Sequence, residues 1–121
     1  MAIDRSTREG ESEYRHQMIT LIRSNRRVVP RDMPTEWRPT EVVNSESRMP
    51  FTFGGAWHLI ADKLEEGHPV EKIKLRNPSG KTGYVLKIDD GQGQKIYIKL
   101  QFGNGCVIGR SFHYSKIEEK E

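Results

Sequence analysis

The sequence predicts an α+β fold, with N-terminal helices followed by a four-stranded antiparallel β-meander packed on one face by a helix. Before Pro69, apolar residues recur at helical spacing in two stretches. After Pro69 they alternate with polar residues in four short runs, which glycine-containing turns separate. Strands joined by tight turns pair antiparallel and bury one face of their sheet. A chain of 121 residues fits one such domain, so we expect residues 1–121 to form a single domain.

The first helix is predicted from Glu11 to about Asn25. Its apolar positions recur at helical spacing, at Tyr14, Met18, Leu21 and Ile22. Residues 1–10 are polar, and we expect them to fray.

Residues 26–53 contain four prolines and show no sustained period. Proline restricts its own backbone and that of the preceding residue, so this segment should be irregular and extended. We expect Trp37 and the Val42–Val43 pair to anchor it to the body of the domain. The alternative is a binding arm that orders on a partner.

The stretch GGAWHLIADKLEEGHP predicts a second helix, at the start of the helix-plus-sheet body of residues 54–115. Gly67, followed closely by Pro69, marks its end. One stripe of the helix is apolar, comprising Ala56, Trp57, Ile60, Ala61 and Leu64.

Four strands should follow, joined by turns at Asn77–Lys81, Asp89–Gln94 and Gly103–Gly105. Their predicted ranges are Val70–Arg76, Gly83–Ile88, Lys95–Phe102 and Cys106–Ser115. Alternation turns the polar positions of the first three strands away from the core. One sheet face should therefore collect Lys72, Lys74, Arg76, Lys87, Lys95, Tyr97, Lys99 and Gln101.

Charge and composition narrow the class of protein. The formal net charge is +3, and residues 51–115 carry seven Lys and two Arg against six acids. This excess permits a polyanionic partner. The chain has no apolar run near the ~20 residues of a membrane span and no signal-peptide pattern. Its single cysteine, Cys106, has no partner for an internal disulfide. These features predict a cytoplasmic protein.

The lysine-rich face has two interpretations. Lys and Arg with an interleaved aromatic ring form a platform typical of nucleic-acid binding. Lysine is also common on exposed strands because it opposes edge-to-edge pairing.

The last strand ends in Arg-Ser-Phe-His-Tyr. By alternation, Cys106, Ile108, Arg110, Phe112 and Tyr114 share one face, and Val107, Gly109, Ser111, His113 and Ser115 share the other. Arg110 is then either partly buried or redirected by a bulge at Gly109. If the last two strands pair as a hairpin, His113 lies on the same side as Tyr97 and Lys99.

Imidazole, phenol, ammonium and guanidinium groups together suit RNA cleavage, since two proton transfers and charge stabilisation are needed. The alternative is a solvated strand end. No set of Cys, His and carboxylate residues has the spacing of metal ligands. The Gly-Lys-Thr of NPSGKTGY is not a phosphate loop, because the glycine that such a loop needs five residues before Gly80 is Leu75, and a strand rather than a helix is predicted to follow. We therefore expect neither a metal nor another cofactor.

The segments IYIKLQF and VIGRSFHYS resemble the C-terminal half of MqsR-type toxins, which belong to the wider RelE-like bacterial ribonucleases. The resemblance covers Lys95–Ser115. It implies helices followed by an antiparallel sheet, metal-independent cleavage of mRNA and neutralisation by a partner antitoxin protein. Tyr97 matches the catalytic tyrosine of the family, and His113 stands where the family has a catalytic lysine. The catalytic glutamine and second lysine of the family have no clear match; Gln101 and Lys99 are nearby candidates.

The leading hypothesis is a metal-independent endoribonuclease that cleaves mRNA, as the toxin of a toxin–antitoxin pair. The candidate catalytic residues are His113, Tyr97, Arg110 and Lys99, and the candidate RNA-binding residues are Lys87, Lys95, Gln101, Lys74, Arg76 and Ser111. Two alternatives stay open: a non-catalytic RNA- or DNA-binding module using the same face, and an adaptor that binds proteins through Arg26–Phe53.

Overall fold

A computed structural model describes residues 3–32, 34–76 and 79–115. The helices are α1 (Ile3–Arg23) and α2 (Phe53–Glu65), and a 3-10 turn spans Pro39–Glu41. The strands are β1 (Arg27–Val28), β2 (Glu36–Trp37), β3 (Val43–Asn44), β4 (Met49–Pro50), β5 (Glu71–Arg76), β6 (Ser79–Asp89), β7 (Lys95–Gly103) and β8 (Cys106–Tyr114). The predicted α+β class is confirmed. None of the helices in the described ranges is long and apolar enough to cross a membrane.

The main sheet is mixed, so the prediction of a purely antiparallel four-stranded sheet is wrong. Its strand order is β1-β8-β7-β6-β5, and β5 to β8 form the predicted antiparallel meander. In addition, β1 and β2 pair in parallel with the outer edge of β8. The Pro-rich segment therefore supplies hydrogen-bond partners to an edge that would otherwise be unpaired.

The two helices match their predicted apolar faces. α1 begins at Ile3 rather than Glu11, and it buries Tyr14, Met18 and Ile22. α2 is capped at Thr52, whose hydroxyl accepts a hydrogen bond from the Gly55 amide at 2.9 Å. The buried residues of α2 are the predicted ones, namely Ala56, Trp57, Ile60, Ala61 and Leu64.

The Pro-rich segment packs against the body through two of its predicted anchors. Trp37 and Val42 are buried, whereas Val43 is exposed. The indole of Trp37 packs on Trp57 of α2, with ring centroids 4.7 Å apart and the ring planes tilted by 30°. The same indole lies over Gly109, where an added Cβ would come within 2.6 Å of the ring. The glycine of β8 thus provides the space that this anchor needs.

A β-bulge in β8 changes the predicted pattern of faces. Lys99 pairs with Ser111 but Leu100 pairs with Gly109, so Arg110 is the extra residue. As a result, Val107 and Phe112 both point into the core and are fully buried. Of the two alternatives for Arg110, the bulge beside Gly109 is confirmed. Simple alternation, which placed Arg110 on one face with Phe112 and Tyr114, is wrong because alternation restarts after the bulge.

The face assignment of β5 is also wrong. Lys72 pairs with Tyr84 and Lys74 with Thr82, which places these lysines on the helix side of the sheet. There the Lys72 ammonium lies 4.7 Å from the ring centre of Tyr14. On the other side, the Leu75 side chain covers Gly83, at 2.8 Å from the position of an added Cβ. The aliphatic residues of β5 therefore pack across the sheet surface instead of against the helices.

Of the turn predicted at Asn77–Lys81, residues 77 and 78 lie outside the described residues, and β6 already begins at Ser79. The other two turns lie where they were predicted. Their glycines Gly91, Gly93 and Gly105, together with Asn104, adopt positive φ angles.

Candidate active site

The sheet face turned away from the helices carries most of the predicted functional residues. We call it the basic face, and it comprises Lys87, Lys95, Tyr97, Lys99, Gln101, Arg110, Ser111 and His113. Lys87 pairs with Tyr97 and Tyr97 with His113, so these three residues form one row across β6, β7 and β8. The next row contains Val85, Lys99, Ser111 and, from β2, Glu36.

Tyr97 and His113 are in contact, as the hairpin prediction required. Their rings stack with centroids 5.5 Å apart and an interplanar angle of 20°. Only 12% of the His113 side chain is exposed. Side chains directly opposite each other on neighbouring strands contact one another in this way because they stand on the same pleated surface.

Glu36 is a site residue that the sequence did not reveal. Its Oε1 lies 3.2 Å from Nε2 of His113, and 55% of its side chain is exposed. It comes from β2, inside the Pro-rich segment, where no periodicity marks a strand. Its pairing with Ser111 places it on the basic face, diagonally across from His113.

Both ring nitrogens of His113 face oxygen atoms. Nδ1 lies 2.8 Å from the carbonyl oxygen of Tyr114, and Nε2 faces the carboxylate of Glu36. A neutral imidazole donates from one nitrogen only, whereas the protonated ring donates from both. The His113 ring is therefore held between two oxygen atoms, one on each side.

The bulge places Arg110 on the basic face. Its Nη1 donates a hydrogen bond of 2.7 Å to Oε1 of Gln101, which is only 6% exposed. Gln101 stands four residues along β7 from Tyr97, which is roughly 13 Å at the usual rise of a strand. The bond to Gln101 thus holds Arg110 at a part of the basic face away from Tyr97.

Two of the predicted RNA-binding residues do not belong to this face. Lys74 lies on the helix side of the sheet, and the alternation of β5 places Arg76 with it. Moreover, β6 and β7 separate β5 from β8. Lys87, Lys95, Gln101 and Ser111 do lie on the basic face, although Ser111 is buried.

A shallow cavity of about 200 Å³ lies beside His113, and we call it the His113 cavity. It is lined by Glu36, Arg38, Glu41, His113 and Tyr114. Its wall is fixed in part by Tyr114, whose hydroxyl accepts a hydrogen bond of 3.0 Å from the Val43 amide. A substrate group in this cavity would contact the imidazole and both carboxylates.

Within the described ranges, no group of three or more His, Cys, Asp or Glu residues is arranged to hold a metal ion. No protein-family model matches the chain, and no curated protein or solved structure matches it significantly.

Proposed function

We propose that this protein is a metal-independent endoribonuclease that cleaves mRNA on the basic face. The observation that carries the proposal is the contact between His113, stacked on Tyr97, and the carboxylate of Glu36. Two groups able to transfer protons and an aromatic phenol thus meet on a surface that also presents lysines. Such a set meets the requirements of phosphodiester cleavage through the neighbouring 2′-hydroxyl.

In the proposed reaction, the 2′-oxygen attacks phosphorus and the bond from phosphorus to the 5′-oxygen breaks. Glu36 accepts the proton of the 2′-hydroxyl, and Nε2 of His113 gives a proton to the departing 5′-oxygen. The products are a 2′,3′-cyclic phosphate and a 5′-hydroxyl. Tyr97 and Lys99 contact the non-bridging oxygens and stabilise the charge of the phosphorane. Arg110 binds a phosphate further along the RNA strand.

The test is cleavage of an mRNA by purified protein in EDTA. We expect His113→Ala to lower the rate by about 10²–10⁴-fold, and Tyr97→Phe to lower it less. Lys74→Ala is the matched control, because it removes a cation from the opposite side of the sheet. Undiminished cleavage by both site variants would refute the assignment of the site.

The proposed biological role is that of a cytoplasmic toxin held in check by an antitoxin protein. Expression of the wild-type chain should then arrest growth, and His113→Ala should relieve the arrest. Co-expression of the neighbouring gene product should restore growth and yield a complex on purification. The toxin role is wrong if expression causes no arrest and the purified protein leaves RNA intact.

A second candidate is a non-catalytic RNA- or DNA-binding module. It is favoured by the exposed lysine of β7, Lys95, beside the half-buried Lys87 and Lys99. This function predicts salt-dependent binding with the nucleic acid recovered intact. The same cleavage assay separates the two candidates.

A further inference from the structure

A second cavity on the basic face lies on the other side of the Tyr97–His113 pair. Its volume is about 380 Å³, which falls within the range of roughly 300–1,000 Å³ usual for small-ligand sites. We call it the Glu71 cavity, after the carboxylate at its rim. It is lined by Pro69, Val70, Glu71, Val85, Lys87 and Lys95 among others.

The Glu71 cavity adjoins the candidate active site through Lys87. This lysine lines the cavity and is also the cross-strand partner of Tyr97. Neighbouring strands lie about 4.8 Å apart, so the cavity begins about one strand spacing from Tyr97. The His113 cavity lies on the β8 side. A dinucleotide with its phosphate over Tyr97 and His113 would therefore extend one base towards each cavity.

Pro69, Val70 and Val85 form the apolar part of the wall of the Glu71 cavity, and this part is supported from behind. Val85, from the middle of β6, is only 3% exposed, and Val70 is half-buried. The segment that carries Pro69 is held by Arg15 of α1, whose Nη1 donates hydrogen bonds of 2.8 Å to the His68 carbonyl and 3.3 Å to the Leu64 carbonyl. A site whose walls are already ordered loses less conformational entropy when a ligand binds.

The polar groups of the cavity define its ligand. Lys87 and Lys95 line the cavity together with His68 and would attract a phosphodiester backbone, and Glu71 offers two acceptor oxygens. Within the described part of the chain, the Glu71 carboxylate takes part in no hydrogen bond or ion pair. Guanine presents two adjacent donors, N1–H and N2–H, which match a carboxylate bidentately. Adenine and cytosine place an acceptor beside their amino group, and uracil flanks its N3–H with two acceptors.

We propose that the Glu71 cavity is a base subsite that selects guanine in single-stranded RNA, next to the phosphate that is cleaved. This inference rests on the proposed ribonuclease function for its place in the reaction. The binding of the base itself is separate from catalysis and is measured separately.

The first measurement is a titration of the protein with the four nucleoside 5′-monophosphates, followed through the NMR signals of the Val70 and Val85 methyl groups. We expect GMP to shift these signals with an affinity at least about tenfold above the other three. Glu71→Gln should remove this preference, because an amide cannot accept both protons. Glu13→Gln, on the exposed surface of α1, should leave it unchanged.

The second measurement is cleavage of RNA oligonucleotides that differ only in the base on each side of the scissile bond. Wild-type protein should favour guanine on one side, and Glu71→Gln should lose the preference while it still cleaves. If the wild type cleaves all oligonucleotides alike and binds the four nucleotides equally, the base subsite is wrong and the ribonuclease function stands. If GMP is bound selectively but no RNA is cleaved, the subsite stands and the ribonuclease function is wrong.

Discussion

Nε2 of His113 lies 3.2 Å from Oε1 of Glu36, although these residues belong to strands from different halves of the chain. The contact depends on the parallel pairing of β2 with β8, in which Glu36 stands opposite Ser111 and Trp37 opposite Phe112. Because the indole of Trp37 is buried between Trp57 and Phe112, the core determines where the backbone of Glu36 lies.

Glu36→Gln should slow RNA cleavage by about 10²-fold or more, because the amide keeps the size of the side chain but accepts no proton. The free energy of unfolding should change by less than about 0.5 kcal/mol, since the side chain is mostly exposed. A wild-type rate of cleavage would exclude Glu36 as the base.

Lys87→Ala and Lys95→Ala should each weaken binding to single-stranded RNA and lower the slope of log K against log salt by about 0.7. The reason is that each lysine on the basic face releases one condensed counterion when it meets a phosphate. Lys74→Ala provides the comparison, since that residue lies on the helix side. Fluorescence anisotropy at several salt concentrations measures the slope. Equal slopes for all three variants would contradict RNA binding by this face.

Gly109→Ala should destabilise the protein by about 1–3 kcal/mol, because its Cβ would lie 2.6 Å from the Trp37 ring, which is packed on two further aromatic residues. Gly54→Ala is the control: an added Cβ meets nothing within 4 Å, and alanine favours the helix. Urea unfolding measures both variants. Equal stability of the two would mean that Trp37 moves freely away from β8.

The hydrogen bond from Tyr14 to Glu11, at 2.6 Å, should make stability depend on pH at both extremes. The bond from Tyr14 lowers the pKa of Glu11, so its contribution is present at neutral pH and is lost as pH falls through that lowered pKa. Burial, and secondarily the bond to Glu11, raises the pKa of Tyr14. The stability that the protonated Tyr14 hydroxyl contributes is present below about pH 10 and is lost as pH rises through the raised pKa.

The variant Tyr14→Phe checks this dependence. The substitution should lower the free energy of unfolding by at most about 1 kcal/mol at neutral pH, because Glu11 is partly exposed. Its stability should also vary less than that of the wild type in acid and in alkali. Urea unfolding between pH 3 and pH 11 gives the comparison, and parallel stability curves for the two proteins would contradict it.

Local patterns in the sequence were sufficient to predict the buried residues of an element where one of its faces is uniformly buried. The apolar stripe of α2 and the alternation along β7 predicted which residues enter the core, and Ile96, Ile98 and Leu100 are all buried there. The same alternation predicted that Tyr97 lies on the same face of the sheet as His113. These patterns are reliable because helical and strand periods follow from backbone geometry alone.

The sequence could not predict features that depend on pairing between distant segments. A bulge adds one residue without a change in composition, so the face of Arg110 was undecided until the register of β7 and β8 was known. In β5, lysines and aliphatic residues alternate, and either set can face the helices. In the structure the lysine side faces the helices, and the Lys72 ammonium lies over the ring of Tyr14 on α1.

By itself, the sequence determined the two helices, the four strands of the meander and the presence of Tyr97 and His113 on neighbouring strands. Only the tertiary structure decided that β2 pairs with β8 and brings Glu36 to His113, that Arg110 binds Gln101, and that Lys74 lies away from the site. The physical reason is that periodicity is a property of one segment, whereas register and strand pairing are selected by the packing of the whole core.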